Sequence, residues 1–216
     1  MKINNYDRVA GWYDRLSRMV FFKSQVNAQV DQLSHIPEKS KILIVGGGTG
    51  WILEELAKIT LEGLDITFVE ISRNMLELAK KRKYGLNRVN FVHLPIEEFV
   101  SQEEFDVVHT AFLFDNFSKE RIAQVFSKLD HLLKPGGLWL FSDFDSAAAQ
   151  GKWWKKFMLN VMYLFFRIIS DVEATQLVST SSLFEEKHYL KVKEATYYKR
   201  FIKTTIYQKN GATFLK

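Results

Sequence analysis

The 216-residue chain reads as an α/β protein: a doubly wound, seven-stranded, mostly parallel sheet with helices on both faces and an antiparallel last strand. Three observations predict this. From residue 41 to residue 143, short aliphatic runs alternate with amphipathic stretches of helical length, the pattern of repeated strand-helix-strand units. The first run, Lys41-Ile42-Leu43-Ile44-Val45, opens directly into Gly46-Gly47-Gly48-Thr49-Gly50, a turn that suits a buried parallel strand leading into a helix. Near the end, residues 192–198 and 201–209 alternate like the two arms of a hairpin, which turns the last strand antiparallel. The length suits one domain, residues 1–216, with a sizeable core, and three prolines with no low-complexity tract leave no sign of a long linker.

Taken in order, residues 1–40 form an N-terminal helical cap ahead of the sheet. Trp12, Leu16, Met19, Val20 and Lys23 fall near a 3.6-residue period, and Val26, Val30 and Leu33 make a second apolar set that ends before Pro37. The helix after the glycines runs from about residue 51 to 58, and the second strand, 65–70, ends on Glu70. A helix over 72–83 turns Met75, Leu76 and Ala79 inward and carries Lys80, Lys81, Arg82 and Lys83 in its last turn, where cations suit the helix dipole. The third strand, 89–93, leads into Leu94-Pro95-Ile96-Glu97, and the fourth, 105–110, into the aromatic run 111–117. Ser118 caps a helix over 118–134, with Arg121 where a capping box would have Glu. Lys134-Pro135-Gly136-Gly137 turns into the fifth strand, 138–143, and Ser182-Leu183-Phe184-Glu185 is a capping box that opens the last helix.

The glycine turn and Glu70 describe a nucleoside pocket. Glycines allow close backbone approach, the first-turn amides of the following helix aim back over the loop, and a carboxylate at the tip of the second strand accepts hydrogen bonds from two ribose hydroxyls. A dinucleotide fingerprint requires a small residue where this chain has Trp51. Gly46-x-Gly48-x-Gly50 instead resembles motif I of the class I S-adenosylmethionine-dependent methyltransferases. Glu70-Ile71-Ser72-Arg73-Asn74-Met75-Leu76 resembles that family's acidic residue and "S-x-x-M-L" helix start, and Lys134-Pro135-Gly136-Gly137 its turn into strand five. Tyr6-Asp7-Arg8-Val9-Ala10-Gly11-Trp12-Tyr13-Asp14 resembles the "Y-D-x-x-A-x-x-Y-D" start of the ubiquinone/menaquinone biosynthesis group.

The resemblance implies a Rossmann-like methyltransferase fold, S-adenosyl-L-methionine as cofactor, and cofactor contacts from Gly46, Gly48, Gly50, Glu70, Ile71, Met75, Ile96, Thr110 and Tyr13. Two positions depart from the family pattern. Ile44 stands where motif I commonly has Asp or Glu, and no Asp follows the third strand, so Glu97 or a carbonyl near Pro95 would have to receive the adenine amino group.

The implied reaction transfers a methyl group to a small acceptor, hydrophobic or aromatic to suit the aromatic run 111–117. Methyl transfer needs a base only where an acceptor proton hinders attack, and His109, Asp115 and Asp143 stand at the rim for that role. Composition excludes other chemistry. With no cysteine and five scattered histidines there is neither thiolate catalysis nor a metal site, and the basic run 80–83 lacks the interleaved aromatics of nucleic-acid binding. The "N/D-P-P-Y/F" tetrad of amine-methylating enzymes of nucleic acid and protein is absent, and Met1-Lys2-Ile3-Asn4-Asn5 does not open a signal peptide, so a cytoplasmic enzyme is expected.

The net charge of +5 is uneven, with 12 Lys/Arg against 5 Asp/Glu over residues 151–216. In that part, residues 151–170 form an apolar helix with a narrow polar stripe, too short and basic to span a bilayer. Three arrangements suit it: a lid insertion over the acceptor pocket, a homodimer face, or a peripheral membrane contact. The last would make the protein a membrane-associated lipid or quinone methyltransferase. A non-catalytic S-adenosylmethionine-binding protein is the remaining alternative.

Overall fold

The computed structural model describes residues 24–60, 62–145 and 179–211. Their strands form one seven-stranded sheet in the order β3-β2-β1-β4-β5-β7-β6, comprising β1 (Lys41–Val45), β2 (Asp65–Val69), β3 (Arg88–Val92), β4 (Phe105–Ala111), β5 (Leu133–Phe144), β6 (Leu190–Tyr197) and β7 (Ile202–Gln208). The first five are parallel, and β7 runs antiparallel between β5 and the edge strand β6. Strand order reverses at β1, whose neighbours are β2 and β4, and in open α/β sheets ligands bind beyond the carboxyl ends of the strands at such a reversal.

The α-helices among the described residues are α1 (Ser24–Leu33), α2 (Trp51–Ile59), α3 (Arg73–Ala79), α4 (Lys119–Leu132) and α5 (Ser181–Glu186). Beneath α2 and α3, one face of the sheet packs Ile42, Ile44, Ile66, Phe68, Val107 and Leu140. The opposite face is aromatic. Phe126, Trp139, Phe184, Tyr189 and Tyr207 meet there, with Phe184 stacked on Tyr207 at 3.8 Å between ring centroids and 5° between planes. Ile42, Leu43 and Ile44 are fully buried, each contributing ~1.5–3 kcal/mol of transfer free energy. That is why this stretch forms a strand buried on both faces.

Four local expectations differ from what forms. Helix α1 buries Gln25, Ala28, Gln29, Gln32 and Leu33, while Val26 and Val30 are only half-buried. Gln32 draws the helix round: its Nε2 donates to Phe141 O (3.0 Å) and Thr205 O (3.3 Å), and its Oε1 accepts from Ser142 Oγ (3.0 Å). Helix α3 ends at Ala79, so Lys81 to Lys83 lie past its C-cap, Lys80. Arg82 folds back instead, with Nε donating to Thr49 O (2.9 Å) and Nη2 to Thr49 Oγ1 (3.2 Å).

Lys134 to Gly137 do not precede the fifth strand but lie within β5. The register with β4 slips between Phe105↔Leu133 and Val107↔Leu138 to take them in. Helix α5 begins at Ser181 after Thr180, which makes no side-chain cap bond, so Ser182 sits inside the helix rather than capping it. The proposed lid, 151–170, and the first part of the helical cap, 1–23, lie outside the described residues.

Candidate active site

The glycine turn and the acidic residue meet. Gly48, with φ 58°, donates its amide to Glu70 Oε2 at 2.9 Å, and Ser72 N donates to Glu70 Oε1 at 2.8 Å. Ser72 Oγ in turn accepts from Met75 N at 3.2 Å and so caps α3. A Cβ at Gly48 would meet only Met75 Sδ, 3.7 Å away, so the backbone there is bare towards the space in front of it. Gly50 serves packing instead: a Cβ would stand 2.5 Å from Ala79 Cβ, so its hydrogen lets α2 and α3 approach. Gly47, passed over in the sequence, is held to glycine by the Phe68 ring, which a Cβ would approach to 2.3 Å.

A cavity opens at the strand-order reversal. Its volume is ≈ 130 Å³, well beyond the room a single water needs. Gly46, Gly48 and Glu70 line it from the ends of β1 and β2, and Ile71, Met75, Pro95, Ile96 and Glu97 from the segments that follow β2 and β3. His109, Ala111, Phe112, Leu113, Asn116 and Phe117 line it from β4 and the segment after it, and Gln25, Val26 and Gln29 from α1. Phe112 has φ 53°, a conformation that side chains other than glycine rarely adopt. This sharp bend, fixed by Phe112 N donating to Ser142 O (2.8 Å), turns residues 113–117 across the mouth.

Of the residues singled out in the sequence, Gly46, Gly48, Glu70, Ile71, Met75, Ile96 and His109 share this wall. Thr110 does not: its Oγ1 accepts from Trp139 Nε1 at 2.9 Å on the aromatic face of the sheet, because strand alternation sends it opposite to His109. Gly50, Asp115 and Asp143 are likewise outside the wall. Tyr13 lies outside the described residues.

The electrostatics of the wall are set by desolvation. Burial pushes the Glu70 carboxyl up, opposed by the amides of Ser72, Gly48 and Ile71. His109 is 3% exposed, and burial pushes its imidazole down to about 4, which leaves a neutral ring at pH 7. Among the described residues neither ring nitrogen has a hydrogen-bond partner. Glu97 Oε1 accepts from Arg121 Nε, whose guanidinium lies 4.3 Å from the centre of the Phe117 ring, while Glu97 Oε2 is buried and unpartnered.

Asp115 and Asp143 meet at the rim. Burial pushes Asp115 up to about 7, and burial followed by the charge of Asp115 raises Asp143 well above the ordinary carboxylate range. Lys203, opposite Asp143 in the β5–β7 register, sends its ammonium to Glu194 instead (2.9 Å). Among the described residues no group of three or more His, Cys, Asp or Glu side chains could hold a metal ion.

Reasoning from the sequence missed Gln25, Gln29 and Arg121. The glutamines carried a usable signal, because Gln25, Gln29 and Gln32 recur at i, i+4 and i+7, a polar stripe at helical spacing.

Residues 42–137 match the family described as a methyltransferase domain. A malonyl-[acyl-carrier protein] O-methyltransferase from Priestia megaterium (strain DSM 319 / IMG 1521) is 33% identical over 130 residues, 59% of this chain and 46% of that protein. The ubiquinone/menaquinone biosynthesis C-methyltransferase UbiE from Geotalea daltonii (strain DSM 22248 / JCM 15807 / FRC-32) is 28% identical over 148 residues, 65% of this chain and 62% of that protein. The chain thus spans about half the length of the curated relatives it matches. Among solved structures, the N-methyltransferase NodS from Bradyrhizobium japonicum WM9 in complex with S-adenosyl-L-homocysteine aligns with a TM-score of 0.68 at 13% identity, over 94% of this chain and 96% of that one. The 1,6-didemethyltoxoflavin-N1-methyltransferase of Burkholderia thailandensis, with its namesake and S-adenosylhomocysteine bound, aligns with a TM-score of 0.63 at 16% identity, over 94% and 86%. At these identities the likeness is one of fold.

Proposed function

From the premise that the chain belongs, by family and fold, to the class I S-adenosylmethionine-dependent methyltransferases, we propose that it transfers a methyl group from S-adenosyl-L-methionine to a small hydrophobic or aromatic acceptor. One observation carries the reading: the bare backbone of Gly48 and the carboxylate of Glu70 are hydrogen-bonded to each other and front the same cavity.

The residues present fit the cofactor. Gly48 N and Ser72 N donate to the two oxygens of Glu70, and a carboxylate has roughly four acceptor sites, so capacity remains for a ribose hydroxyl. Ile71, Met75 and Ile96 supply an apolar side for an adenine ring, Met75 through a polarizable thioether. The unpartnered Glu97 Oε2 supplies the acceptor for an adenine amino group where the chain lacks an Asp after β3. When bound, the cofactor supplies a methyl group on a sulfonium, open to in-line displacement.

The chain's own part is to align and to exclude water. Holding donor and acceptor collinear contributes on the order of 7 to 11 kcal/mol in well-oriented pairs. Phe112, Leu113 and Phe117 give the acceptor side an apolar wall. A base enters only for an acceptor that carries a hindering proton. By proton affinity Asp115, which burial pushes up to about 7, is better matched to that task than His109, whose imidazole near 4 is a weak base, while by position His109 lines the cavity and Asp115 stands outside its wall. The relatives' names, a malonyl-[acyl-carrier protein] O-methyltransferase and a ubiquinone/menaquinone biosynthesis C-methyltransferase, mark the acceptor classes to try first.

Calorimetric titration with S-adenosylmethionine and S-adenosylhomocysteine, followed by methyl-labelled turnover on quinones, phenols, amines and phospholipid head groups, tests the proposal. Both nucleosides bind and one acceptor class takes up label if it is right. A chain that binds neither nucleoside is not this enzyme.

A further inference from the structure

The His109 side chain is placed at odds with its surroundings. In register it is the partner of Ile44 on β1 and Leu140 on β5, and the core on its side of the sheet is aliphatic, with Ile42, Ile44, Val107 and Leu140. A polar ring buried among such neighbours costs stability unless both nitrogens are satisfied, and among the described residues neither is. The ring nevertheless forms part of the cavity wall. Facing the same space from α1 are Gln25 and Gln29, the two inward glutamines that Gln32 leaves when it ties the helix to β5 and β7.

We infer that His109, with Gln25 and Gln29, forms a polar pole of the cavity that holds the amino-acid tail of the cofactor. This rests on the proposed function and goes further by assigning the second end of the ligand.

The geometry runs through β1. Glu70, Ile71, Met75 and Ile96 lie on the β2–β3 side of the glycine turn and fit the adenosyl part, and His109 lies on β4, on the other side of β1. A ligand with its ribose at Glu70 therefore reaches His109 with its opposite end. That end is a zwitterion, with an ammonium that donates and a carboxylate that accepts. A neutral imidazole offers one acceptor and one donor, and two carboxamides offer more of each, so a ligand group with no net charge meets a wall with no net charge. The burial that holds the imidazole near 4 keeps its lone pair available at neutral pH.

Two ligands separate the ends of the pocket. S-adenosylhomocysteine carries the amino-acid tail, and 5′-methylthioadenosine has the same adenosyl thioether without it. In calorimetric titration of the full chain, His109→Leu lowers affinity for S-adenosylhomocysteine at least tenfold and leaves 5′-methylthioadenosine within about twofold, while His109→Gln, which keeps a donor and an acceptor, recovers most of the loss. Equal losses on both ligands, or unchanged binding of S-adenosylhomocysteine in His109→Leu, overturn the inference and leave the proposed function standing. Failure of the wild-type chain to bind either ligand overturns both. If His109→Leu does not fold, the double variant Gln25→Ala/Gln29→Ala decides: a loss of affinity for S-adenosylhomocysteine more than threefold greater than for 5′-methylthioadenosine supports the inference, and an equal loss or none overturns it.

Discussion

The aromatic face of the sheet and the cavity at its carboxyl edge bury polar groups on different terms. On the aromatic face Trp139 Nε1 donates to Thr110 Oγ1, and Tyr189 OH donates to Asp130 Oδ1 at 2.7 Å, which Lys209 Nζ also approaches at 3.5 Å, while a single hydroxyl there, Thr205 Oγ1, is without a partner among the described residues. At the cavity Glu97 Oε2 and both nitrogens of His109 are buried without partners among the described residues, and outside its wall, at the same edge of the sheet, Asp115 and Asp143 confront each other. A buried polar group without a partner costs about 1–3 kcal/mol, so a fold bears several at one edge only where something else completes them. The contrast separates the part of the molecule that sustains the fold from the part that awaits a ligand.

The largest test of that division is Phe184→Ala. Phe184 is 1% exposed and packs on Phe126, Trp139, Tyr189 and Tyr207, so urea unfolding should show a loss of ~3–5 kcal/mol, with cofactor affinity of the folded chain unchanged. A matching fall in affinity would break the comparison, because the two regions would then be coupled.

Glu70→Ala should act on both sides of the line. It removes the ribose acceptor, roughly 1.5–3 kcal/mol of binding if charge-assisted, and it leaves the amides of Gly48 and Ser72 without their acceptor. Calorimetry and thermal unfolding together measure the two parts. Undiminished affinity would separate the ribose from Glu70 and dissolve the assigned site.

The smallest effect belongs to Asp143→Asn, about 1 kcal/mol at pH 8, the usual scale of a point mutant. Both rim carboxyls bind protons more tightly folded than unfolded. Their contribution is therefore fully present below pH 4 and is lost as pH rises through about 7, where Asp115 titrates. The amide removes that loss, so the variant should equal wild type at pH 4 and exceed it at pH 8 in chemical denaturation. Parallel stability curves across that range would show that the pair is not strained.

Much of this organisation was legible along the chain. The seven strands fall within a few residues of their expected places, and the turn at Gly46 to Gly50 meets Glu70 as the nucleoside reading requires. Less legible was anything that depends on which faces meet. Val26, Val30 and Leu33 have the same spacing as Gln25, Gln29 and Gln32, and only the carbonyls of Phe141 and Thr205, more than a hundred residues away, turn the glutamines inward. Thr110 and His109 are adjacent in sequence, and the pleat sends one to Trp139 and the other to the cavity.

The sequence by itself determined the strand, the glycine turn and the acid, because those follow from local demands: aliphatic side chains where both faces are covered, no Cβ where φ is positive, and a carboxylate one residue past a strand end. Tertiary structure alone decided that His109 stands beside Ile44 and shares a cavity wall with two glutamines. Side chains brought together by register and helix docking carry no mark of each other in the chain, and their energy depends on the partners they meet.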